Sequence, residues 1–241
     1  MPEDGLADVK RFDPVPDPRP ADAVWPELKW PISADAELVG ETVRLNPVDP
    51  VADAAELFAV LDHDVVWAHI PFRPRDRQEL DEFLRSWHAT PENYLWIVRT
   101  CRAVAGYPIG AIVGMTSFLE TRPRDARLEI GATLFAPEVW ASGVNPEAKL
   151  LLLRYAFDTL GAGRVELKTD VRNHRSQQAI ARLGARYEGT LRRYSRRADG
   201  TIRDSVLFSI TVEDWPDVRA RLAARLRDLE RSVNSSWTAR L

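Results

Sequence analysis

The sequence predicts one main domain of the α/β (α+β) class, with a mixed, mostly antiparallel sheet and helices on both faces. Three observations support this prediction. The 241 residues are 45% hydrophobic and 29% charged, which is ordinary for a folded domain with a sizeable core. Apolar residues recur at helical spacing in the first third of the chain and then change to strand-like runs. Glycine and proline separate the later runs, in which helices and strands alternate.

Three segments are expected along the chain. Residues 1–37 are rich in proline and aspartate and indicate an extended arm, whose Trp25 and Trp30 are expected to dock on the body or on a partner. Residues 38–213 are expected to form the main domain. Residues 214–241 are expected to form a C-terminal helix and tail.

The main domain begins with a short strand, indicated by alternation over Glu41–Pro47. A helix through Ala54–Leu61 follows, and apolar residues at helical spacing predict a second helix over Asp76–His88. Runs rich in β-branched and aromatic residues then predict three strands. They cover Tyr94–Thr100, Ile109–Phe118 and Arg127–Phe135.

Helix signals are strongest in the second half. Pro146–Leu160 is predicted to be a helix that stops at Gly161, with a short strand over Val165–Thr169 after it. Asn173 is predicted to cap a further helix that ends before Gly184.

Two more strands and a helix complete the predicted order. The strands are expected to meet at a two-residue Asp199–Gly200 turn. Thr211 with Asp214 resembles a capping box for the last helix. One face of that helix is predicted to carry Trp215, Val218, Leu222 and Leu229.

Composition argues against several classes of protein. The net charge of −3 gives no electrostatic reason to expect a nucleic-acid partner, and no apolar segment suggests secretion or a membrane span. Cys101 is the only cysteine, so no intrachain disulfide is possible. The four histidines lack metal-ligand spacing, so no metal is predicted. A cytoplasmic protein is the resulting expectation, with a homodimer as one open alternative for its assembly.

The most informative segment is Trp140–Glu147, with the sequence WASGVNPE. Small residues allow backbone amides to approach an anion, and Asn145 as cap with Pro146 at the first helical position would fix where the helix begins. The free N–H groups and the positive dipole end of that helix suit a pyrophosphate. A well-capped helix without a ligand is the alternative. Neither the G-x-x-x-x-G-K-[ST] pattern nor the G-x-G-x-x-G pattern is present.

Together with its neighbours, this loop resembles the GNAT superfamily of N-acetyltransferases, and within it the Rim-type branch that acetylates ribosomal-protein N-termini. The resemblance covers roughly Leu38–Asp214. It depends on four motifs in the sequence. They are Glu129-Ile130-Gly131, Asn145-Pro146-Glu147-Ala148-Lys149, Asn173-x-x-Ser176 and Leu183-Gly184-Ala185.

The resemblance implies that the loop holds the pyrophosphate of acetyl-CoA and that pantetheine runs between two splayed parallel strands, Arg127–Phe135 and Val165–Thr169. Free strand amides would bond the pantetheine. The usual loop pattern, Q/R-x-x-G-x-G/A, is met at Gly143 but not at Trp140 or Asn145. The CoA-binding residues implied are Ile130, Trp140, Ala141, Ser142, Gly143, Val144, Asn145, Thr169, Asn173 and Ser176.

An amine must lose a proton before it attacks a thioester. At pH 7 this costs about 4.6 kcal/mol for a lysine and about 1 kcal/mol for an α-amine, so a weak base acting through water suits α-amines better. Glu129, which matches the glutamate of the family at this place, is the candidate base. Strand alternation predicts Leu128, Ile130 and Leu134 on one face and Glu129 on the other. An ordinary solvated carboxylate is the alternative.

The leaving thiolate needs a proton donor. Many GNAT members use a tyrosine where this chain has Ile180, whereas the Rim-type branch has a serine where Ser176 stands. Ser176 is therefore the candidate donor, with Tyr194 as a substitute, and a helix serine without chemistry is the alternative. In the family, the stretch that joins the early helices helps to wall the acceptor pocket. This implicates Trp67, His69 and Phe72, with core packing as the alternative.

The expected function is transfer of an acetyl group from acetyl-CoA to a primary amine, of a protein N-terminus or a small molecule, directly within a ternary complex and without a metal or flavin. One alternative is a non-catalytic acyl-CoA-binding or interaction module. Another is an enzyme with a larger donor such as succinyl-CoA, whose carboxylate would pair with arginines. These arginines, for which a solvated hairpin face is the simpler interpretation, are Arg192, Arg193, Arg196, Arg197 and Arg203.

Overall fold

The fold is built on an eight-stranded sheet, in a computed structural model that describes residues 13–19 and 24–238. The strands are β1 (Leu38–Val39), β2 (Val43–Pro47), β3 (Tyr94–Thr100), β4 (Ile112–Arg122), β5 (Arg127–Phe135), β6 (Arg164–Asp170), β7 (Arg186–Arg196) and β8 (Ile202–Thr211). Their order in the sheet is β1-β2-β3-β4-β5-β6-β8-β7. Every neighbouring pair is antiparallel except β5 and β6. The predicted mixed, mostly antiparallel sheet is therefore confirmed.

Helices cover both faces of the sheet, as predicted. In the described residues they are α1 (Ala54–Leu61), α2 (Asp64–Trp67), α3 (Arg77–His88), α4 (Val144–Arg154), α5 (His174–Leu183) and α6 (Trp215–Thr238). The apolar sides of α1 and α3 form one core with residues such as Ile97 and Met115. The larger core, on the opposite face, joins α4, α5 and α6 to residues such as Trp96 and Phe118.

The parallel strands β5 and β6 diverge after a short contact. Three residue pairs join them, from Arg127 opposite Arg164 to Glu129 opposite Glu166. Beyond this point β5 pairs only with β4, and β6 pairs only with β8. The predicted splay is present, and backbone groups along the open edges need a partner other than the neighbouring strand.

A β-bulge in β5 changes which face its side chains occupy. Ala132 has a φ of 45°, and the register against β4 slips around it. Leu128 and Ile130 pack in the larger core, whereas Leu134 packs with α1 and α3 on the opposite face. The predicted alternation is therefore correct for Leu128 and Ile130 but wrong for Leu134, because one extra residue reverses the strand period.

Helix α4 begins two residues earlier than predicted. Gly143 is its N-cap and Val144 its first residue, so Asn145 and Pro146 are the second and third. The prediction that Asn145 caps this helix is wrong. Pro146 still lies in the first turn, where a missing N–H costs no intrahelical hydrogen bond. The helix ends at Arg154 and continues as a π-helical turn over Tyr155–Thr159.

Helix α5 has both predicted caps. The Asn173 side chain accepts the Ser176 amide at 3.0 Å, which satisfies one of the free donors of the first turn. Gly184 ends the helix with a φ of 96°, a left-handed conformation that glycine adopts without strain.

Two strand connections differ from the prediction. The turn between β7 and β8 has three residues, 198–200, because Arg197 pairs with Thr201 and the loop is one residue longer than expected. Strand β4 begins later than residue 109, since the Ala111 amide bonds back to the Pro108 carbonyl and extends the preceding turn. Its far end runs to Arg122, four residues beyond the predicted limit.

Residues 24–37 lie against the body of the fold. Leu28 and Ile32 are buried in the larger core. The indole N–H of Trp30 donates to the Pro91 carbonyl at 2.9 Å. This part of the predicted arm therefore covers apolar surface of the main domain.

Residues near both ends of the described chain pack against the body of the fold to different extents. Trp25 keeps 58% of its surface exposed, so of the two tryptophans only Trp30 docks. Residues 1–12 and 20–23 of the predicted arm lie outside the described residues. At the other end, α6 buries Trp215, Val218 and Leu222, as its apolar pattern predicts. No helix among the described residues has both the length and the hydropathy needed to cross a bilayer.

Candidate functional site

A cavity of about 730 Å³ lies between the parted ends of β5 and β6. It extends from the loop before α4 to the segment after α2, and α5 forms another wall. Most of the residues singled out in the sequence line it together. They are Glu129, Ile130, Trp140, Ala141, Ser142, Asn145, Thr169, Asn173, Ser176, Tyr194, His69 and Phe72. Gly143, Val144 and Trp67 are outside this lining.

The loop before α4 offers backbone donors. In the described part of the chain, the amides of Ala141, Gly143 and Asn145 donate to no protein acceptor. Ala141 has a φ of 61°, which turns the chain sharply just before the helix. Free amides beside the positive end of a helix dipole suit the charge of a diphosphate.

Two residues of the loop serve its own structure. The Ser142 hydroxyl donates to the Val139 carbonyl at 2.6 Å and accepts the Val144 amide at 3.2 Å. The Val144 side chain is fully buried in the larger core. Their arrangement holds the neighbouring free amides in place.

Asn145 lines the cavity with an unsatisfied acceptor. Its Oδ1 is buried and accepts no hydrogen bond from the described residues. Such an orphaned group costs on the order of 1–3 kcal/mol, and a ligand donor would remove this cost. A bound molecule with polar groups near the loop therefore fits this side chain better than an empty cavity.

Trp140 is fixed at the mouth of the cavity. Its indole N–H donates to the Phe135 carbonyl at 3.0 Å, and the Arg175 guanidinium carbon lies 3.4 Å from the centroid of its ring. Burial lowers the pKa of Arg175 and of Arg225, and both line the cavity with Arg182. Positive charge thus collects at the end of the cavity where phosphates would enter.

Glu129 belongs to a cluster of charged groups at the other end. Its carboxylate lies 2.9 Å from Lys168 Nζ, which also donates to Glu120 at 2.7 Å and to the Tyr194 hydroxyl at 2.8 Å. Glu129 is 8% exposed, so the alternative of an ordinary solvated carboxylate does not apply. Its side chain lies on the strand face opposite to Leu128 and Ile130, as predicted.

The surroundings shift the pKa values of this pair. Burial raises the pKa of Glu129, and Lys168 opposes that rise. Burial disfavours the charged form of Lys168, but Glu129 and Glu120 outweigh this effect and raise its pKa. The lysine therefore stays charged while the carboxylate gains basicity, which favours a role as a base.

Gly131 makes room for the Glu129 carboxylate. A Cβ atom at this position would lie 2.8 Å from Glu129 Oε1 and 2.8 Å from Leu119 Cδ1. Any other residue would require the Glu129 carboxylate and the end of the Leu119 side chain to move. The glycine of the Glu-Ile-Gly motif therefore has a structural role, which is to leave space for the glutamate side chain.

Lys149 is a site residue whose environment the sequence does not indicate. It is 5% exposed, lines the cavity, and donates to Thr133 Oγ1 at 2.5 Å and to Thr116 Oγ1 at 3.4 Å. Burial lowers its pKa to about 7, against the opposing effect of Glu129. A lysine in a helix is usually exposed, so no local pattern distinguishes it. The sequence does not indicate the environment of Lys168 either, because its partners come from three different strands, β4, β5 and β7.

The predicted acceptor residues divide into two groups. His69 and Phe72 line the cavity, and Phe72 stacks on Phe83 with ring centroids 5.2 Å apart. Trp67 is 3% exposed, packs with α1 and α3, and donates its indole N–H to the Leu61 carbonyl at 2.7 Å. The alternative of core packing is confirmed for Trp67, although it also reaches a smaller neighbouring cavity.

The arginines of the hairpin formed by β7 and β8 differ in exposure and in partners. Arg192, Arg193 and Arg196 are exposed, as the solvated-face interpretation requires. Arg197 bonds the buried Asp170 at 2.6 and 2.8 Å. Arg203 is half-buried and lines the cavity.

Other reactive groups lie outside the cavity. Cys101 is half-buried, and burial raises the pKa of its thiol, which disfavours the thiolate. Within the described ranges, no group of three or more His, Cys, Asp or Glu side chains is arranged to hold a metal ion.

Similarity to known proteins agrees with this geometry. A candidate acetyltransferase structure from T. thermophilus is 36% identical and has a TM-score of 0.70, covering 82% of this chain and all of its own. The Mycobacterium smegmatis RimJ structure in complex with CoA-disulfide is 23% identical, with a TM-score of 0.64 over 76% of this chain and 88% of RimJ. At that identity the likeness shows a shared fold.

Curated relatives are matched over shorter stretches. The uncharacterized N-acetyltransferase p20 of Bacillus licheniformis is 30% identical over 104 residues, which are 43% of this chain and 57% of p20. The chain spans about half the length of the curated relatives it matches. The family model described as "Acetyltransferase (GNAT) domain" matches residues 42–186, more than half of the chain. The chain therefore belongs to the GNAT acetyltransferase family.

Proposed function

We propose that this protein transfers an acetyl group from acetyl-CoA to a primary amine, of a protein N-terminus or a small molecule, by direct attack within a ternary complex. One observation carries the proposal: a single cavity connects the free amides before α4 with the buried Glu129 carboxylate through the gap between β5 and β6. The gap is open on the strand edges, where an extended ligand with amide groups finds backbone partners.

The residues at the loop end fit the polar part of acetyl-CoA. Ala141 and Asn145, which line the cavity, supply amides for the diphosphate, and the orphaned Asn145 Oδ1 supplies an acceptor. Arg175, Arg182 and Arg225 supply positive charge at the mouth for the phosphates. Thr169, Asn173 and Ile130 line the path between the two ends.

The Glu129 end fits the proton transfers of the reaction. The amine loses a proton to Glu129 through a water molecule, and its nitrogen then forms a bond to the thioester carbonyl carbon. As the C–S bond breaks, the thiolate takes a proton from Ser176 or Tyr194, and the second proton that leaves the acylated nitrogen restores that hydroxyl. Tyr194 accepts a hydrogen bond from Lys168, so its own O–H is free to donate.

The test is thiol release from acetyl-CoA across a panel of primary amines, with calorimetry of acetyl-CoA binding as a second readout. Amine-dependent thiol release together with an acetylated product is expected. Binding without thiol release for any amine would favour the non-catalytic module, and absence of binding would remove the proposal. Succinyl-CoA in the same assay decides between the two donors.

A further inference from the structure

A half-buried arginine at the acceptor end of the cavity has no anionic partner among the residues that the structure describes. Arg203 lines both the main cavity and the neighbouring cavity of about 370 Å³. Its Nε donates to Ser205 Oγ at 3.1 Å. Its other four N–H donors meet no acceptor among the described residues, although a guanidinium carries five in a planar fork.

The other cations around the smaller cavity are already paired. Arg197 bonds Asp170 with two hydrogen bonds, Arg73 lies 2.8 Å from Asp62, and Arg172 lies 4.0 Å from Asp199. Of the arginines that line this cavity in the described chain, Arg203 alone has no carboxylate within 4 Å. It is therefore the one whose charge is available to a ligand.

The environment of Arg203 favours an incoming anion. Burial lowers the pKa of Arg203, although Asp170 and Glu129 oppose this at longer range. The neighbouring His69 also has its pKa lowered by burial, which favours its uncharged form. A partly desolvated guanidinium binds a carboxylate or phosphate more strongly than a fully hydrated one does.

The position of Arg203 indicates which molecule carries the anion. Under the proposed function, the phosphates of acetyl-CoA lie at the opposite end, beside Trp140 and Asn145. Arg203 instead shares the junction of the two cavities with His69, Ile70 and Pro71, on the side where the early helices wall the acceptor. Both Glu129 and Arg203 line the main cavity, and Glu129 is near enough to raise the pKa of Arg203, so one molecule can place an amine at the first and an anion at the second.

We infer that Arg203 binds a carboxylate or phosphate group of the acceptor, so that the substrate class is an amine that also carries an anion. This inference rests on the proposed function and makes it more specific. Loss of one charge-assisted contact costs about 1.5–3 kcal/mol, which corresponds to roughly a 10- to 100-fold change in affinity or kcat/KM.

The experiment compares paired amines, one with an anion and one without, and expresses kcat/KM per unprotonated amine, because the anion also raises the pKa of the amine. Suitable pairs are phenylalanine with phenylalaninamide, β-alanine with β-alaninamide, and phosphoethanolamine with ethanolamine. The wild-type enzyme with acetyl-CoA is expected to prefer the anionic member of at least one pair by about 10- to 100-fold in kcat/KM. Arg203→Gln is expected to abolish that preference, and Arg203→Lys is expected to retain part of it.

Arg196→Gln is the matched control, since it removes an exposed arginine of the same hairpin and is expected to keep the preference. Calorimetry of the same pairs with the CoA-bound protein measures discrimination without turnover. Absence of thiol release would thus remove the proposed function, while the binding data still decide on Arg203.

Three outcomes overturn the inference. The first is a wild-type protein that does not discriminate within any pair, and the second is a preference that survives Arg203→Gln. The third is an Arg203→Gln variant that, with neutral amines, loses activity with succinyl-CoA but not with acetyl-CoA, which would assign the anion to the acyl donor.

Discussion

Glu129 is the residue whose surroundings differ most from those of an ordinary strand carboxylate. It is buried, has one fixed cation, and is accommodated by a glycine two residues later. Burial raises its pKa, so the deprotonated base is lost at a higher pH than for an exposed glutamate. We therefore expect kcat/KM to decline as the pH falls through this raised pKa.

Replacement of the carboxylate tests this role. Glu129→Gln is expected to lower kcat by about 10²- to 10⁴-fold, the usual contribution of a general base, with acetyl-CoA affinity kept. Thiol release and calorimetry measure the two quantities. Glu120→Gln is the control, because Glu120 contacts the same lysine but is half-exposed and is expected to change kcat little. Unchanged turnover of Glu129→Gln would assign the base to another group.

Lys149 gives a prediction on stability. Its pKa is about 7 in the folded protein and about 10.5 when unfolded, so the unfolded state binds more protons between these values. The buried charge destabilises the fold fully below pH 7, and this cost is relieved as the pH rises towards 10. Relative to Lys149→Met, the free energy of unfolding of the wild type is expected to increase over that interval.

Urea unfolding at several pH values measures this difference. Comparison with the methionine variant cancels the titration of the other lysines and tyrosines. Parallel pH profiles for the two proteins would show that Lys149 keeps an ordinary pKa in the fold.

At the scale of elements, α5 begins at a cap that also lines the cavity. Asn173→Ala removes the hydrogen bond to the Ser176 amide and is expected to cost about 1 kcal/mol of stability. Asn173→Asp, which keeps a side-chain acceptor, is expected to restore most of it. Urea denaturation at neutral pH checks both values, and an alanine variant as stable as the wild type would contradict the capping role.

The elements also show where sequence patterns stop being informative. The hydrophobic period locates α3 and β3 well, and the caps Asn173 and Gly184 locate α5, because all of these are local signals. The bulge at Ala132 is invisible in the sequence, since it depends on register against β4 and uses no glycine. Asn145 is a favourable cap residue, yet the helix begins before it, with Gly143 as its N-cap.

The whole molecule includes more of its N-terminal segment than the predicted domain boundary at residue 38 allows. Leu28 and Ile32 are buried in the larger core. Leu28→Ala is expected to lower the free energy of unfolding by about 2–5 kcal/mol, whereas Val24→Ala, at a 92% exposed position, is expected to be neutral. Equal stabilities by urea unfolding would place residues 24–37 outside the cooperative unit.

The fold as a whole was more predictable than its site. Element order and the capped helices α3 and α5 follow from local rules, and Glu129, Asn173 and Ser176 follow from motifs. The contacts that give the site its chemistry do not. Lys168 on β6 pairs with Glu129 on β5, and Lys149 on α4 donates to Thr133 on β5. Arg203 has no carboxylate partner because the nearby Asp170 pairs with Arg197.

Because β5 and β6 diverge, the sheet consists of two parts, β1–β5 and β6–β8, which are joined by only three residue pairs in the described chain. Beyond these pairs, no strand pairing joins β1–β5 to β6–β8 among the described residues. A ligand in the gap would supply hydrogen-bond partners for the backbone groups of both strands. Amide hydrogens along both open edges are therefore expected to exchange more slowly with deuterium once acetyl-CoA is bound. Equal exchange with and without acetyl-CoA would mean that the ligand does not bond to these strand edges.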